Sequence, residues 1–159
     1  MADTERLVID HVGHRGDGVT AVCGESVYVP YTLGGETVEV APVPGHHPDR
    51  RRLVTVDSAS PERIAPFCPH FGVCGGCALQ HLDAGAQLRW KERELLETLQ
   101  RLGDLVPTQV MPAVAGPVWG YRRKARLGAR YVNARQRSLV GFRERSTTFV
   151  AALDSCPVR

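Results

Sequence analysis

Four of the five cysteines limit what this chain can fold into more than any other feature. Cys68, Cys74 and Cys77 lie within ten residues of one another, and Cys156 follows far downstream. The spacings are five residues and then two, and Cys68 and Cys156 are each followed by proline. A close triplet plus one distant cysteine is a common way to bring four thiolates onto a metal cluster from different directions. The glycine pair in Cys74-Gly75-Gly76-Cys77 lets the backbone curl around a ligand and brings N–H groups near the sulfurs. Structural zinc held by four cysteines is the rival, although zinc sites of that kind usually come as two close pairs. A redox-active pair at Cys74 and Cys77 is a third reading, but it leaves Cys68 and Cys156 without a role and lacks a flanking βαβ pattern. Spacing therefore favours an iron–sulfur centre and leaves zinc open. Cys23 stands apart between two strand candidates and reads as a small buried apolar residue. His70 and His81 flank the cluster and read as groups that support it or face a binding partner, since four cysteines already suffice.

An odd cysteine count with one tight cluster makes a poor disulfide framework. The opening MADTERLVID is acidic and polar, unlike an export signal, and no apolar run approaches the roughly 20 residues of a spanning helix. These features predict a cytoplasmic monomer with no membrane partner.

Charge is unevenly spread. Residues 1–60 carry five basic and nine acidic side chains, a net of −4. Residues 61–110 carry a net of −1, and residues 111–159, with ten basic and two acidic groups, a net of +8. A basic C-terminal third points to a polyanionic partner.

The first sixty residues read as five short strands: Leu7–Val12, Val19–Val22, Ser26–Pro30, Thr37–Val43 and Arg51–Asp57, separated by Gly and Pro turns. That pattern predicts a small five-stranded, OB-like barrel over residues 1–60. Residues 61–159 read as a second, α+β domain, which makes the whole chain mainly β with one or two helices. A helix is predicted to start at Asp83 as N-cap and to stop at Gly103, with Pro107 confirming the break. Leu88, Leu95, Leu99 and Leu102 share one of its faces and read as core packing, with Leu96 flanking them.

From Tyr121 to Val132 a long strand is predicted. On it Arg122, Lys124, Arg126 and Arg130 share one face, while Tyr121, Ala125, Leu127, Ala129 and Tyr131 share the other. Such a cationic ladder suits nucleic-acid phosphates, and Arg135, Arg137, Arg143 and Arg145 extend the positive field.

The run Cys68-Pro69-His70-Phe71-Gly72-Val73-Cys74-Gly75-Gly76-Cys77-Ala78-Leu79-Gln80-His81 resembles the iron–sulfur segment of RNA uracil-C5 methyltransferases. Trp119 to Arg126, Val140-Gly141-Phe142-Arg143 and Asp154-Ser155-Cys156-Pro157 are similar to that family's central domain. Gly16-Asp17-Gly18, Val27-Tyr28-Val29-Pro30 and Leu33-Gly34-Gly35-Glu36 resemble its N-terminal TRAM barrel, more weakly. The resemblance implies a [4Fe-4S] cluster on the four cysteines and a grip on structured RNA, ribosomal RNA in the first place. Gln80, His81, Tyr121, Phe142 and Arg143 would join Arg122, Lys124, Arg126 and Arg130 as the RNA-binding set. The full enzyme would methylate a uridine at C5 with S-adenosylmethionine.

Two departures matter. After Cys156 only three residues follow, with no glycine-rich cofactor loop and no downstream catalytic cysteine or glutamate. No catalytic residue is assigned, S-adenosylmethionine would enter only through a further domain, and the chain alone is expected to be catalytically silent. The acidic first sixty residues also suit phosphate poorly, beyond Arg50-Arg51-Arg52. The alternative is a stand-alone RNA-binding module with a four-cysteine zinc site and no activity.

Overall fold

The structure, a computed structural model, describes residues 4–45 and 47–158. Residues 1–3, His46 between the strand candidates Thr37–Val43 and Arg51–Asp57, and Arg159, the last basic residue of the C-terminal third, lie outside the described residues. The chain divides into two compact units, residues 1–64 and 65–159.

Alternating apolar residues in the first unit build two antiparallel sheets of three strands. β1 (Glu5–Val8), β5 (Thr37–Pro42) and β6 (Arg51–Ser58) form one sheet in the order β1-β5-β6. β2 (His11–Val12), β3 (Asp17–Val22) and β4 (Glu25–Pro30) form the other. Every second residue of β4 and β5 turns inward, so Val27, Val29, Val38 and Val40 meet Ile9 in one core. Leu7, Val22, Leu53 and Val56 pack around its margin.

The expected five-stranded closed barrel is not what forms. Among the described residues there are six strands in two separate sheets, and the sheets do not close. The stretch predicted as a single strand over 7–12 breaks at Ile9 and Asp10. Ile9 donates its N–H to the Glu36 carbonyl, beside the first sheet, whereas Asp10 donates to the Val19 carbonyl in the second. Two adjacent residues thus hand the chain from one sheet to the other. Among the described residues a single isolated bridge, from Tyr28 to Arg50 just before β6, joins β4 to that sheet, and Pro30 ends β4 without an N–H to extend the ladder.

Cys23 is also not where its neighbours suggested. It is exposed, in the two-residue turn that joins Val22 to Glu25. Its φ is 52° and that of Gly24 is 85°, both left-handed, as the tight turns that match strand twist require. Residues at such a tip point to solvent.

The second unit holds α1 (Ala84–Gly103), the hairpin β7 (Gly128–Val132) and β8 (Arg137–Gly141), and a short 3-10 helix at Asn133–Arg135 between those strands. The predicted helix limits hold. The Asp83 carboxylate accepts from the N–H groups of Gly85 and Ala86, at 2.9 and 3.2 Å. Asp104, in the left-handed region, closes the C-terminus by donating to the Gln100 carbonyl. The leucine stripe is not core in this chain: Leu95 is 59% exposed and Leu102 76%, and Ala86 is the buried residue of α1. Among the described residues, no helix is long and apolar enough to cross a membrane.

The two units differ in how they are held. The first buries Ile9, Val12, Val27, Val29, Leu33, Val38, Val40 and Ala41. In the second, the buried apolar side chains among the described residues are Leu82, Ala86, Ala151 and Val158. A core that small is a weak anchor for a chain segment of this length.

Candidate metal centre

Cys68, Cys74 and Cys77 sit on a run of tight turns. Phe71 donates its N–H to the Cys68 carbonyl, and Val73 and Cys74 donate to that of His70. Two longer-range bonds pin the run: Gly75 N–H to the Arg143 carbonyl at 2.9 Å, and Arg145 N–H to the Val73 carbonyl at 3.1 Å. They flank an antiparallel bridge between Cys74 and Glu144. A Cβ on Gly75 would stand 2.9 Å from the Arg143 carbonyl oxygen, so the contact needs glycine there.

Cys156 arrives from the opposite direction. Ala151 and Leu153 donate to the carbonyls of Phe142 and Val140, so the chain after 149 runs back along β8. Beyond Cys156, the carbonyls of Pro157 and Val158 accept from Gly120 and Arg122. All four cysteines consequently line one pocket, together with Phe71, Phe142, Leu153 and Arg122.

The pocket favours sulfur chemistry over water. Burial pushes the Cys74 thiol up, the nearby Cys77, Cys68 and Cys156 push the same way, and a Gly76 N–H aimed at the sulfur from 3.4 Å opposes them. A metal that takes thiolates would displace those protons. Among the described residues, no three His, Cys, Asp or Glu side chains are drawn together closely enough to hold a single ion.

The resemblance-derived residues divide. Gln80 turns inward, its Oε1 accepting from the Cys68 N–H at 3.1 Å. His81 is fully buried, its ring 5.5 Å from that of Phe71. Phe142 is half-buried, packed beneath the Arg122 guanidinium at 5.5 Å. The predicted strand over 121–132 is strand only from Gly128 on. Tyr121, Arg122, Lys124 and Arg126 therefore lie on an exposed, irregular run and not on a ladder. The reason is backbone pairing: Arg122 donates its N–H to Val158 and its side chain turns back to the Lys124 carbonyl at 3.2 Å. Arg130 lies on β7, and Arg143 is exposed beside the Cys74 bridge. Sequence reasoning missed that Arg122 reaches the cysteine pocket. Its position 34 residues before Cys156 carries no local signal of that contact.

Comparison with known proteins bears on this geometry. Over 153 residues, 94% of this chain, the sequence is 48% identical to the 23S rRNA (uracil(1939)-C(5))-methyltransferase RlmD of Xylella fastidiosa strain 9a5c. It is 45% identical over 155 residues to the protein of that name from Xanthomonas campestris pv. campestris strain 8004, and 43% identical over 154 residues to that of Azoarcus sp. strain BH72. The chain is homologous to part of these methyltransferases. It spans 34–35% of their length. No protein-family profile matches it.

Proposed function

We propose that this chain is the cluster-bearing, RNA-gripping portion of an RNA uracil-C5 methyltransferase acting on ribosomal RNA. The observation that carries the reading is the convergence of the close triplet Cys68, Cys74 and Cys77 with the sequence-distant Cys156 on one pocket whose wall includes Arg122 of the basic run. Homology to proteins named for uracil-C5 methylation of 23S rRNA gives it a direction.

Cys68, Cys74, Cys77 and Cys156 would hold a [4Fe-4S] cluster. The donor set fits it in chemistry, with four thiols, an N–H to sulfur and apolar walls. Spacing points the same way: four-cysteine zinc sites usually come as two close pairs, and here a triplet is joined by one distant cysteine. With all four positions filled by cysteine, the centre would act as a clasp, tying residues 68–77 to the segment at Cys156. Methyl transfer and S-adenosylmethionine binding would belong to the remaining length that the relatives possess.

Anaerobic purification should yield a coloured protein with about four iron and four sulfide per chain. Stoichiometric zinc in a colourless protein would replace the cluster reading with the four-cysteine zinc alternative. For RNA, replacing Lys124 and Arg126 with alanine should weaken binding and lower the slope of log affinity against log salt by about 1.4 for a single strand. Arg122 is best left intact in that test because it lines the cysteine pocket. A salt slope equal to wild type would show that these two cations do not meet phosphate.

A further inference from the structure

A second concavity, separate from the cysteine pocket, opens beside the β7–β8 hairpin. It has a volume of about 500 Å³ and is lined by Arg130, Tyr131, Arg135, Leu139, Glu144 and Phe149, among others. That size lies in the range of pockets that take small organic groups.

Its construction follows from the sheet. Gly128, Arg130 and Val132 share one face of β7, and a Cβ on Gly128 would lie 3.1 Å from the Val150 side chain. That face is therefore the one turned toward Val150. Leu139 pairs directly with Arg130 and supplies an apolar floor between the cations.

Phe149 is the unusual member. It is 60% exposed, yet its backbone is tied at both ends: its N–H donates to the Thr147 hydroxyl at 3.1 Å, and its carbonyl accepts from Glu144 at 2.9 Å. Tyr131, 55% exposed, is held by its ladder partner Ser138 and by its hydroxyl, which donates to Gln136 Oε1 at 3.2 Å. Phe149, an exposed ring on fixed backbone with Arg130 and Arg135 in the same lining, makes a stacking platform with phosphate contacts beside it, while Tyr131 projects from the other face of β7 and borders the cleft. Glu144 argues for a base over a bare phosphate. A carboxylate repels an anion but accepts hydrogen bonds from the N–H groups of a base edge.

We infer that this cleft seats an unpaired RNA base: Phe149 stacks on it, and Arg130 and Arg135 hold the adjoining phosphates. Base-paired RNA cannot enter, since its bases are stacked on each other. The inference rests on the RNA reading above and deepens it by naming single-stranded RNA as the form bound here.

The test uses the whole chain and two probes, a short single-stranded oligoribonucleotide and the same sequence annealed into a duplex, read by fluorescence anisotropy. Phe149→Leu keeps apolar bulk and removes the π face. It should weaken single-strand binding about tenfold, leave duplex binding unchanged and leave the salt slope unchanged. Phe149→Tyr should bind as wild type does. Circular dichroism on both variants checks that the fold is kept. If Phe149→Leu binds the single strand as tightly as wild type while Lys124→Ala with Arg126→Ala still loses affinity, the base seat falls and the RNA reading stands. If Phe149→Leu loses equally on both probes, the stacking role falls. If wild type binds neither probe, this inference and the RNA reading fall together.

Discussion

Replacing Cys77 with serine is expected to strip the protein of the proposed metal centre and to loosen residues 65–158. A hydroxyl is a poor ligand for iron where a thiolate is needed, and the other three cysteines cannot complete the set. Bound iron should fall by more than tenfold relative to wild type. The effect on folding should be large because the second unit has so little else: Leu82, Ala86, Ala151 and Val158 are its buried apolar residues. Limited proteolysis should accordingly cut within residues 68–77 in the variant and spare them in the metal-loaded protein. Cys23→Ser is the control. Cys23 lies exposed on the turn between β3 and β4, and its removal should leave the iron content unchanged. Iron retained in full by Cys77→Ser would remove Cys77 from the ligand set.

The second large effect is expected in the first unit, from Glu36→Gln. Glu36 is fully buried and accepts four hydrogen bonds: from the N–H of Leu33 at 2.8 Å, that of Ser60 at 3.1 Å, and Arg63 through Nε at 2.5 Å and Nη2 at 2.7 Å. Arg63 also donates to the Tyr31 carbonyl at 2.8 Å, so one ion pair ties the loop after β4 to the segment after β6. Neutralising Glu36 leaves a guanidinium, itself largely covered, without its counter-charge. The cost is about 3 kcal/mol, the low end for breaking a buried pair because Arg63 keeps some contact with water. Hydrogen exchange at the Leu33 and Ser60 amides should accelerate by about a hundredfold. Rates equal to wild type would mean that the pair contributes nothing net.

The same group makes the first unit acid-sensitive. Burial pushes the Glu36 carboxyl up, but the Arg63 hydrogen bond, the Leu33 and Ser60 N–H groups and the Arg63 charge together hold it below its ordinary value of 4.5. Because the folded value is the lower one, its stabilisation is fully present above about 4.5. That contribution drains away as pH falls through the folded value. Thermal unfolding followed from neutral pH downward should show wild type losing stability below that point more steeply than Glu36→Gln. Parallel profiles would contradict the assignment.

How far the chain could be read from its residues depended on the range of the interaction. Strand positions in the first unit follow from alternation along a few residues, and β4, β5 and β6 lie within a residue or so of where Ser26–Pro30, Thr37–Val43 and Arg51–Asp57 placed them. The helix ends likewise follow from Asp83 and Gly103, because a cap is a contact between neighbours in sequence. The cysteine spacing carried the donor chemistry for the same reason: a thiol remains a thiol wherever it is placed.

Other features depended on partners far along the chain. Whether Ile9 and Asp10 continue one strand or cross between two sheets is decided by carbonyls at Glu36 and Val19, and that choice opened the expected barrel into two sheets. The alternation at Tyr121–Val132 described a ladder, but a ladder needs a neighbour, and Arg122 finds its backbone partner at Val158. The leucines of α1 carried a core-facing pattern, while burial of Leu95 and Leu102 requires a surface that residues 4–45 and 47–158 do not place over them. By itself the sequence determined local geometry and the chemical kind of the site. The tertiary structure decided which distant groups meet: Cys156 with the triplet, Arg122 with the sulfurs, Arg63 with Glu36, and Phe149 with Arg130. Periodicity reports what a residue does to its neighbours, whereas these meetings depend on backbone hydrogen bonds that close over tens of residues.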